Sequence, residues 1–198
     1  MNLLCDVGVF STHSRISASP QAGSSKTGKP FRSETETKFI TDGMLGKLAR
    51  WLRLIGNDVE YCRDLNDKDL IRKASTKNTV LLTSDVNLYR MASQRGVVAY
   101  LVKGTSETER LAGIVKRFNL ELKYDPLVSK CPKCSARIEE TSKESVRDEV
   151  PQLTYEVYNE FWICTNPDCG KVYWRGSHWK NILETLDNTN KLLQNEPN

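Results

Sequence analysis

The chain has 198 residues, of which 38% are apolar and 27% are charged. This is enough apolar content for a core of ordinary size, and the length fits one domain or one domain with a small appendage. No run approaches the ~18 apolar residues of a membrane span, and the start lacks the pattern of a secretory signal, so we expect a cytoplasmic protein with no membrane contact. The net charge of +4 is compatible with a polyanionic partner but does not require one.

Residues 1–37 are predicted to form a flexible leader. Positions 11–37 are rich in Ser, Thr, Gly, Lys and Pro and show no apolar periodicity, so they cannot bury enough surface to become ordered. The first ten residues are apolar but are isolated by this stretch. The alternative interpretation is a start codon placed too far upstream.

From Phe39 to Phe118 short apolar runs alternate with segments of helical periodicity. The pattern predicts strands at about residues 39–41, 58–62, 79–83 and 97–102, and helices at about 45–55, 67–75, 86–95 and 106–118. Strands that alternate with helices of about ten residues imply βαβ crossovers. We therefore expect an α/β fold with a mostly parallel sheet that helices cover on both faces.

The alternation ends near residues 123–130, where a cysteine-rich segment begins. A charged stretch at 139–148 is followed by a predicted strand at 153–163, which leads into the second cysteine pair. Residues 172–174 are predicted to be a returning strand. A terminal helix with a polar tail is predicted from residue 178 to residue 193.

The cysteines of this segment form the pattern Cys131-x-x-Cys134 and Cys164-x4-Cys169. Two such pairs from separate hairpins can present four thiolates to one tetrahedral Zn²⁺ ion. A closed four-sulfur site has no open coordination position, so we predict a structural zinc site. The other two cysteines of the chain have no partner pattern, which favours a reducing compartment over a disulfide framework.

Two aspartates follow predicted strands directly. Asp42 comes after residues 39–41, and Asp85 comes after residues 79–84. Carboxylates at the strand ends of an α/β sheet are placed where ligands bind, and oxygen ligands suit Mg²⁺ or Mn²⁺. Such an ion can activate water for phosphodiester hydrolysis. We assign Asp67, at the start of a predicted helix, as the third carboxylate, with Asp64 and Asp69 as alternatives.

The simpler interpretation of each aspartate is a helix N-cap or a turn residue, because all of them stand at predicted helix starts. Against it, several carboxylates gathered without an equal number of bases would be electrostatically unfavourable unless a cation binds.

Basic residues accompany the proposed site. Lys47, Arg50 and Arg53 are three residues apart and are predicted to lie on one face of the helix that starts near Asp42, where they could contact phosphates. The alternative is an ordinary solvated helix face.

Aromatic and basic residues are also concentrated at 173–180, where Arg175, His178 and Trp179 could contact nucleic acid. The alternative is that the tryptophans close a small core.

The stretch from Phe39 to Gly56, with residues 67–71 and 81–85, resembles the PIN-like ribonuclease domain with a C-terminal zinc ribbon known as the Mut-seven C-terminal RNase family. The resemblance covers residues 38–182. It implies a metal-dependent RNase on a three-layer PIN-like α/β/α sandwich, with Asp42, Asp67 and Asp85 at the family's acidic positions. Ser84 stands where relatives commonly have arginine, which is expected to weaken substrate contact. The implied organisation is a leader at 1–37, a PIN-like domain at 38–125, a zinc ribbon at 126–182 and a terminal helix with a polar tail at 183–198.

The leading hypothesis is therefore an endoribonuclease in which Asp42, Asp67 and Asp85 hold Mg²⁺ or Mn²⁺ and Zn²⁺ is structural. One alternative is a non-catalytic RNA-binding module whose aspartates only cap helices. Another is a docking subunit whose ribbon binds a protein of a ribosome-associated or tRNA-processing assembly.

Overall fold

The computed structural model describes residues 37–195, so nearly all of the predicted leader and the last three residues lie outside the described part of the chain. The first four strands are β1 Lys38–Thr41, β2 Val59–Tyr61, β3 Thr79–Thr83 and β4 Ala99–Leu101. The helices between and after them are α1 Gly46–Leu54, α2 Asp67–Ala74, α3 Val86–Gln94 and α4 Glu107–Phe118, with a 3-10 turn at Gly43–Leu45 before α1.

These four strands pair in parallel in the order β2-β1-β3-β4. Successive residues of a strand point to opposite faces, so Phe39 and Leu82 join one core while Ile40 and Leu81 join another. Residues of α1 and α4 complete the first core, and residues of α2 and α3 complete the second. The prediction of an α/β fold with a parallel sheet is confirmed.

The strand order predicts a crevice at the carboxyl ends of the two central strands. The chain leaves β1 for β2 on one side, and then crosses to β3 on the other side of β1. Neighbouring strands whose connections run in opposite directions leave a gap at their carboxyl ends, and open α/β sheets bind their ligands there. In this protein that gap lies between the ends of β1 and β3.

The C-terminal part forms a second, antiparallel sheet. Its strands are β5 Ile138–Thr141, β6 Phe161–Cys164 and β7 Val172–Tyr173, in the order β5-β6-β7. A short helix, α5 Gln152–Val157, lies between β5 and β6. We call residues 129–175 the cysteine unit. Its core consists of two small clusters, one around the cysteines and one around Phe161.

One sequence prediction for the cysteine unit was wrong. The predicted strand at 153–163 is split, because α5 follows Pro151 and only the part from Phe161 is a strand. Pro151 has a fixed φ that suits the start of a helix, and α5 has no buried residue, so no apolar periodicity marked it. β5 overlaps the charged stretch at 139–148. Its two glutamates are exposed, and Ile138 supplies its buried side chain.

The terminal helix α6, Trp179–Asn195, extends slightly beyond the predicted range of 178–193. It packs against α4, and its Leu186 joins the core of the first sheet. Its first residue, Trp179, lies within the range 126–182 that the resemblance assigned to the ribbon. Within residues 37–195, no helix is both long and apolar enough to span a membrane.

The two sheets are connected through Arg53 in the last turn of α1. Its side chain is 5% exposed, and its guanidinium donates to the Val59 carbonyl at 2.8 and 3.0 Å and to the Pro132 and Lys133 carbonyls at 2.9 and 3.1 Å. The Arg53 carbonyl in turn accepts from Lys130 N at 2.9 Å. Burial lowers the pKa of Arg53, and the nearby thiols of Cys131 and Cys134 oppose that shift. Arg53 thus joins α1, β2 and the first cysteine pair.

A close backbone approach completes this junction. Gly56 has a φ of +91°, and a side chain there would place its Cβ 3.0 Å from the Val128 carbonyl oxygen. The Ser129 hydroxyl donates to the Leu54 carbonyl at 2.6 Å. Glycine is therefore required after α1 so that the chain entering the cysteine unit can pass against it.

Replacing Arg53 with lysine is expected to lower the free energy of unfolding by about 3 kcal/mol, because lysine cannot reproduce the fork that serves three carbonyls. Thermal unfolding would show this as a fall in Tm of roughly 6–12 °C. The matched control is Arg50→Lys, one turn earlier on the same helix and half-buried, which should change stability by less than about 0.5 kcal/mol. Equal melting of the two variants would contradict the role assigned to Arg53.

Candidate carboxylate site and metal centre

Asp42 and Asp85 lie at the carboxyl edge of the sheet. Asp42 directly follows β1, is 7% exposed, and accepts from Met44 N at 2.9 Å, so it caps the 3-10 turn before α1. Asp85 lies two residues beyond β3 and accepts through Oδ1 from Asn87 N at 2.7 Å and from Leu88 N at 3.2 Å, so it caps α3. Both aspartates do cap helices, as the simpler interpretation predicted.

A threonine joins the two aspartates. The Thr83 hydroxyl, which is fully buried, donates to Asp42 Oδ2 and accepts from Asp85 N at 2.9 Å. β1 and β3 are adjacent, so both aspartates lie at the gap between the carboxyl ends of these two strands. This is the gap from which the strand connections run in opposite directions. Sequence reasoning missed Thr83. The signal that could have found it is a hydroxyl at the last position of a buried strand, two residues before an aspartate.

The loop after β1 packs closely on the loop after β2. A Cβ at Gly43 would lie 2.9 Å from the Arg63 carbonyl oxygen, so a residue without a side chain is needed there. The Tyr61 hydroxyl donates to the Gly43 carbonyl at 3.0 Å. These contacts fix the segment that carries Asp42 against the segment that leads to Asp64 and Asp67.

The candidates for a third carboxylate differ in their contacts. Asp69 is held by the Asn66 amide at 2.8 Å and by Arg72 at 2.8 Å. Asp67 is the first residue of α2 and is exposed, as is Asp64. Asp69 is therefore neutralised by Arg72, whereas no lysine or arginine within residues 37–195 makes an ion pair with Asp67 or Asp64.

Within the described part of the chain, no basic side chain pairs with the proposed acidic residues at this edge. Among residues 37–195, no lysine or arginine makes an ion pair with Asp42, Asp67 or Asp85, although the same sheet carries paired acids such as Glu60, which Lys38 and Lys73 contact. Carboxylate oxygens are the ligands that hard divalent cations prefer, so the chemistry of Asp42 and Asp85 is of the type that suits such an ion. A third carboxylate does not meet these two closely enough in the described chain to form a three-ligand group with them.

The predicted basic face is divided by the structure. Lys47 is exposed and Arg50 is half-buried, but Arg53 faces the interior and serves the junction described above. Arg175 is exposed, while His178 and Trp179 are half-buried at the start of α6. The prediction that Arg53 belongs to the exposed basic face was wrong, because helical spacing alone does not reveal that the cysteine unit covers this end of α1.

The structure brings the predicted zinc ligands together. The Sγ atoms of Cys131, Cys134, Cys164 and Cys169 all lie within 4.8 Å of one another. Two of these separations are 3.8 Å, between Cys131 and Cys169, and 3.4 Å, between Cys134 and Cys164. Both are too long for a disulfide bond and close to the ~3.8 Å sulfur–sulfur edge of a tetrahedral zinc–thiolate site. The cluster can hold a metal such as zinc.

Burial of the thiols disfavours a charge that no cation balances, and a tyrosine hydroxyl contacts one of the sulfurs. Burial raises the pKa of Cys164 and of Cys169. The Tyr173 hydroxyl lies 3.0 Å from Cys131 Sγ, and burial together with this thiol raises the pKa of Tyr173. Tyr173 therefore stays protonated and can donate to the sulfur, as groups around a metal-ligating thiolate do.

Comparison with known proteins finds a family model that covers most of the chain. The family model described as Mut7-C RNAse domain matches residues 37–186, which is 150 of the 198 residues. No curated protein and no solved structure matches this chain significantly. The matched range includes the parallel sheet, both aspartates and the cysteine cluster.

Proposed function

The chain belongs to the Mut7-C RNase domain family, and from that premise we propose that it is a metal-dependent endoribonuclease. Family membership supports a ribonuclease-type function with RNA as the substrate. The observation that carries the finer proposal is the pair of aspartates at the β1–β3 gap, which are linked through Thr83 and make no ion pair with a lysine or arginine between residues 37 and 195.

In this proposal Asp42 and Asp85 hold Mg²⁺ or Mn²⁺. Asp67 or Asp64 is the third carboxylate, and because neither forms a three-ligand group with the pair in the described chain, it would contact the ion through a bound water. The bound ion would supply a water of lowered pKa and offset the charge on the phosphate. Thr83 holds the carboxylate of Asp42 in one orientation through its hydroxyl. The backbone N–H groups of Asn87 and Leu88 hold Oδ1 of Asp85, which leaves Oδ2 for the ion.

The basic residues serve to position the RNA strand. Lys47 is exposed in the first turn of α1, the helix that follows Asp42, and Arg50 lies one turn further along. Phosphates that contact both cations would run past the carboxylate pair. Arg175, His178 and Trp179 extend this surface across the junction with the cysteine unit.

We assign residues 38–125 to a PIN-like domain and residues 126–182 to a zinc ribbon, whose last four residues are the first residues of the terminal helix α6. The two-faced parallel sheet and the four gathered thiols support this assignment. The zinc ion has a structural role, because four sulfur ligands leave no position for a substrate. The five cysteines in the described part of the chain form no disulfide with one another, and four of them are the proposed zinc ligands. This supports a reducing compartment such as the cytoplasm.

The proposal is tested by incubating zinc-loaded protein with a labelled single-stranded RNA in Mn²⁺, in Mg²⁺, in Ca²⁺ and without added divalent ion. Fragments are expected with Mn²⁺ or Mg²⁺ only. Omitting the ion is preferable to adding EDTA, because a chelator would also remove zinc from the cysteine cluster. A circular RNA substrate distinguishes endonuclease from exonuclease activity, since only an endonuclease can open it.

The capping contacts of Asp42 and Asp85 support a second candidate, a non-catalytic RNA-binding module. Both aspartates have a structural reason to be where they are, even without an ion. Intact RNA under every condition, together with retained RNA binding, would favour this candidate. Failure to bind any RNA at low salt would instead favour a protein-docking subunit.

A further inference from the structure

A cavity lies at the junction between α1, the cysteine unit and the start of α6. The chain has four tryptophans, and all of them, Trp51, Trp162, Trp174 and Trp179, line this cavity. Trp51 is 6% exposed and belongs to the core that contains Phe39, and Trp162 is 8% exposed and belongs to the cluster around the cysteines. Trp174 and Trp179 are half-buried. The cavity therefore has aromatic walls that are partly open to solvent.

The space is larger than ordinary packing leaves. Its cavity volume is about 60 Å³, which is room for about two water molecules. Protein interiors contain few voids larger than one water, so a junction that only held two units together would be expected to fill this space with side chains. The volume is too small to enclose a planar ring, so the apolar walls suit a ring that stacks at the open side, where Trp174 and Trp179 are half-buried.

The rings are held in fixed orientations. Trp179 meets Tyr124 edge to face, with their centroids 4.5 Å apart. The Arg175 guanidinium lies 5.2 Å from the centroid of the Trp162 ring and 5.5 Å from that of Trp179. The Glu160 carboxylate contacts the Arg175 guanidinium at 3.0 Å. A site whose aromatic groups are already fixed loses little conformational entropy when a flat ligand enters.

The charge of the lining is positive. Three cations, Arg50, Lys130 and Arg175, line the cavity together with its aromatic walls, and no aspartate or glutamate does. Lys130 and Arg175 have acidic partners nearby, but Arg50 makes no ion pair with any residue between 37 and 195. An aromatic ring from a protein partner would leave this charge unbalanced. A ligand that combines a flat ring with a phosphate matches both properties of the site.

We propose that this junction pocket binds one unpaired nucleobase of a single-stranded RNA, stacked against Trp174 and Trp179, with Arg50 and Arg175 on the adjoining phosphates. The choice of RNA as the ligand rests on the proposed function. A base held between aromatic rings cannot also be paired, so the pocket selects single strands over duplexes.

The pocket also lies along the path to the carboxylate site. Arg50 lies in the second turn of α1, and Asp42 caps the 3-10 turn that leads into this helix. A strand anchored in the pocket would therefore reach the carboxylates a few nucleotides away. The pocket would set the distance between the bound base and the cleaved bond.

Intrinsic fluorescence reports on this pocket directly, because every tryptophan of the chain lines it. Zinc-loaded protein without Mg²⁺ or Mn²⁺ is titrated with hexauridylate, with hexaadenylate, with the corresponding mononucleotides and with a blunt RNA duplex. At least one hexamer is expected to quench the emission saturably, and to bind at least about tenfold more tightly than its mononucleotide or the duplex. No quenching by either hexamer, or equal affinity for mononucleotide and hexamer, would overturn the proposal.

Variants assign the binding to the pocket, with labelled hexamer followed by fluorescence anisotropy. Trp179→Leu is expected to weaken binding by about tenfold, and Arg175→Gln by about fivefold. The matched control is Lys180→Gln, which removes the same charge from a neighbouring, 83% exposed side chain and should change affinity by less than about twofold. Arg175→Gln changes an exposed side chain, so it keeps the test valid if Trp179→Leu does not fold.

The result is separable from that of the nuclease proposal. Binding that depends on Trp179 or Arg175, in a protein that cleaves nothing, would support the pocket and contradict the nuclease. Cleavage that continues with an unchanged KM in the folded pocket variants would support the nuclease and contradict the pocket.

Discussion

Asparagine at position 42 or at position 85 is expected to lower RNA cleavage by at least about a hundredfold while the protein stays folded. A divalent ion contributes several kcal/mol to phosphodiester hydrolysis, and each 1.4 kcal/mol lost is a factor of ten in rate. Asparagine keeps an oxygen that can cap the same turns, since it is as good an N-cap as aspartate. Stability should therefore change by no more than about 1 kcal/mol. The substitution removes the negative charge and retains the shape.

The measurement compares initial cleavage rates at saturating Mn²⁺ with melting temperatures of the same preparations. Asp69→Asn is the matched control, because Asp69 lies at the same edge but is engaged by Asn66 and Arg72. It should keep cleavage within about threefold of the original rate. Full activity in both Asp42→Asn and Asp85→Asn would remove the carboxylate site from the mechanism. The same substitution to asparagine, made separately at Asp67 and at Asp64, identifies the third ligand. Only one of these two variants should lose as much cleavage activity as Asp42→Asn.

The regular part of the fold was accessible from the sequence because its signals are local. β3 is buried along its whole length and is bounded by turn residues, and α4 has both its capping box at Ser106 and a regular apolar face. The cysteine unit was harder to predict. Its strands have two to four residues, and α5 has no buried face, so neither periodicity could appear.

The same distinction applies to the candidate site. Asp42 and Asp85 could be predicted because the end of a parallel strand is visible in the sequence, and its place in the sheet follows from the fold class. The link through Thr83 could not be predicted, because it depends on β1 and β3 being adjacent. Arg53 was assigned to the wrong environment for a related reason. Its partners at Pro132 and Lys133 are about 80 residues away in sequence, and only tertiary contact shows that they cover it.

Loss of zinc is expected to unfold the cysteine unit while the parallel sheet remains folded. The cluster around the thiols has five buried residues, of which Cys131 and Cys164 are two, so it has too small an apolar core to persist alone. Structural zinc contributes on the order of 10–16 kcal/mol to the folding of such units. The two sheets have separate cores, so only the unit that holds the ion depends on it directly.

Chelation, or Cys131→Ala, should therefore give a protein without bound zinc that keeps its helical circular dichroism. Its tryptophan emission should shift to the red, since Trp162 packs in the thiol cluster. Cys62→Ala is the matched control, because Cys62 is also buried but lies under the parallel sheet, and this variant should retain one zinc ion per chain. An unchanged emission spectrum after complete removal of zinc would contradict a structural role for the ion. The red shift should reverse when zinc is returned, and return should become less effective as the pH falls, because protons compete with the ion for the thiolates.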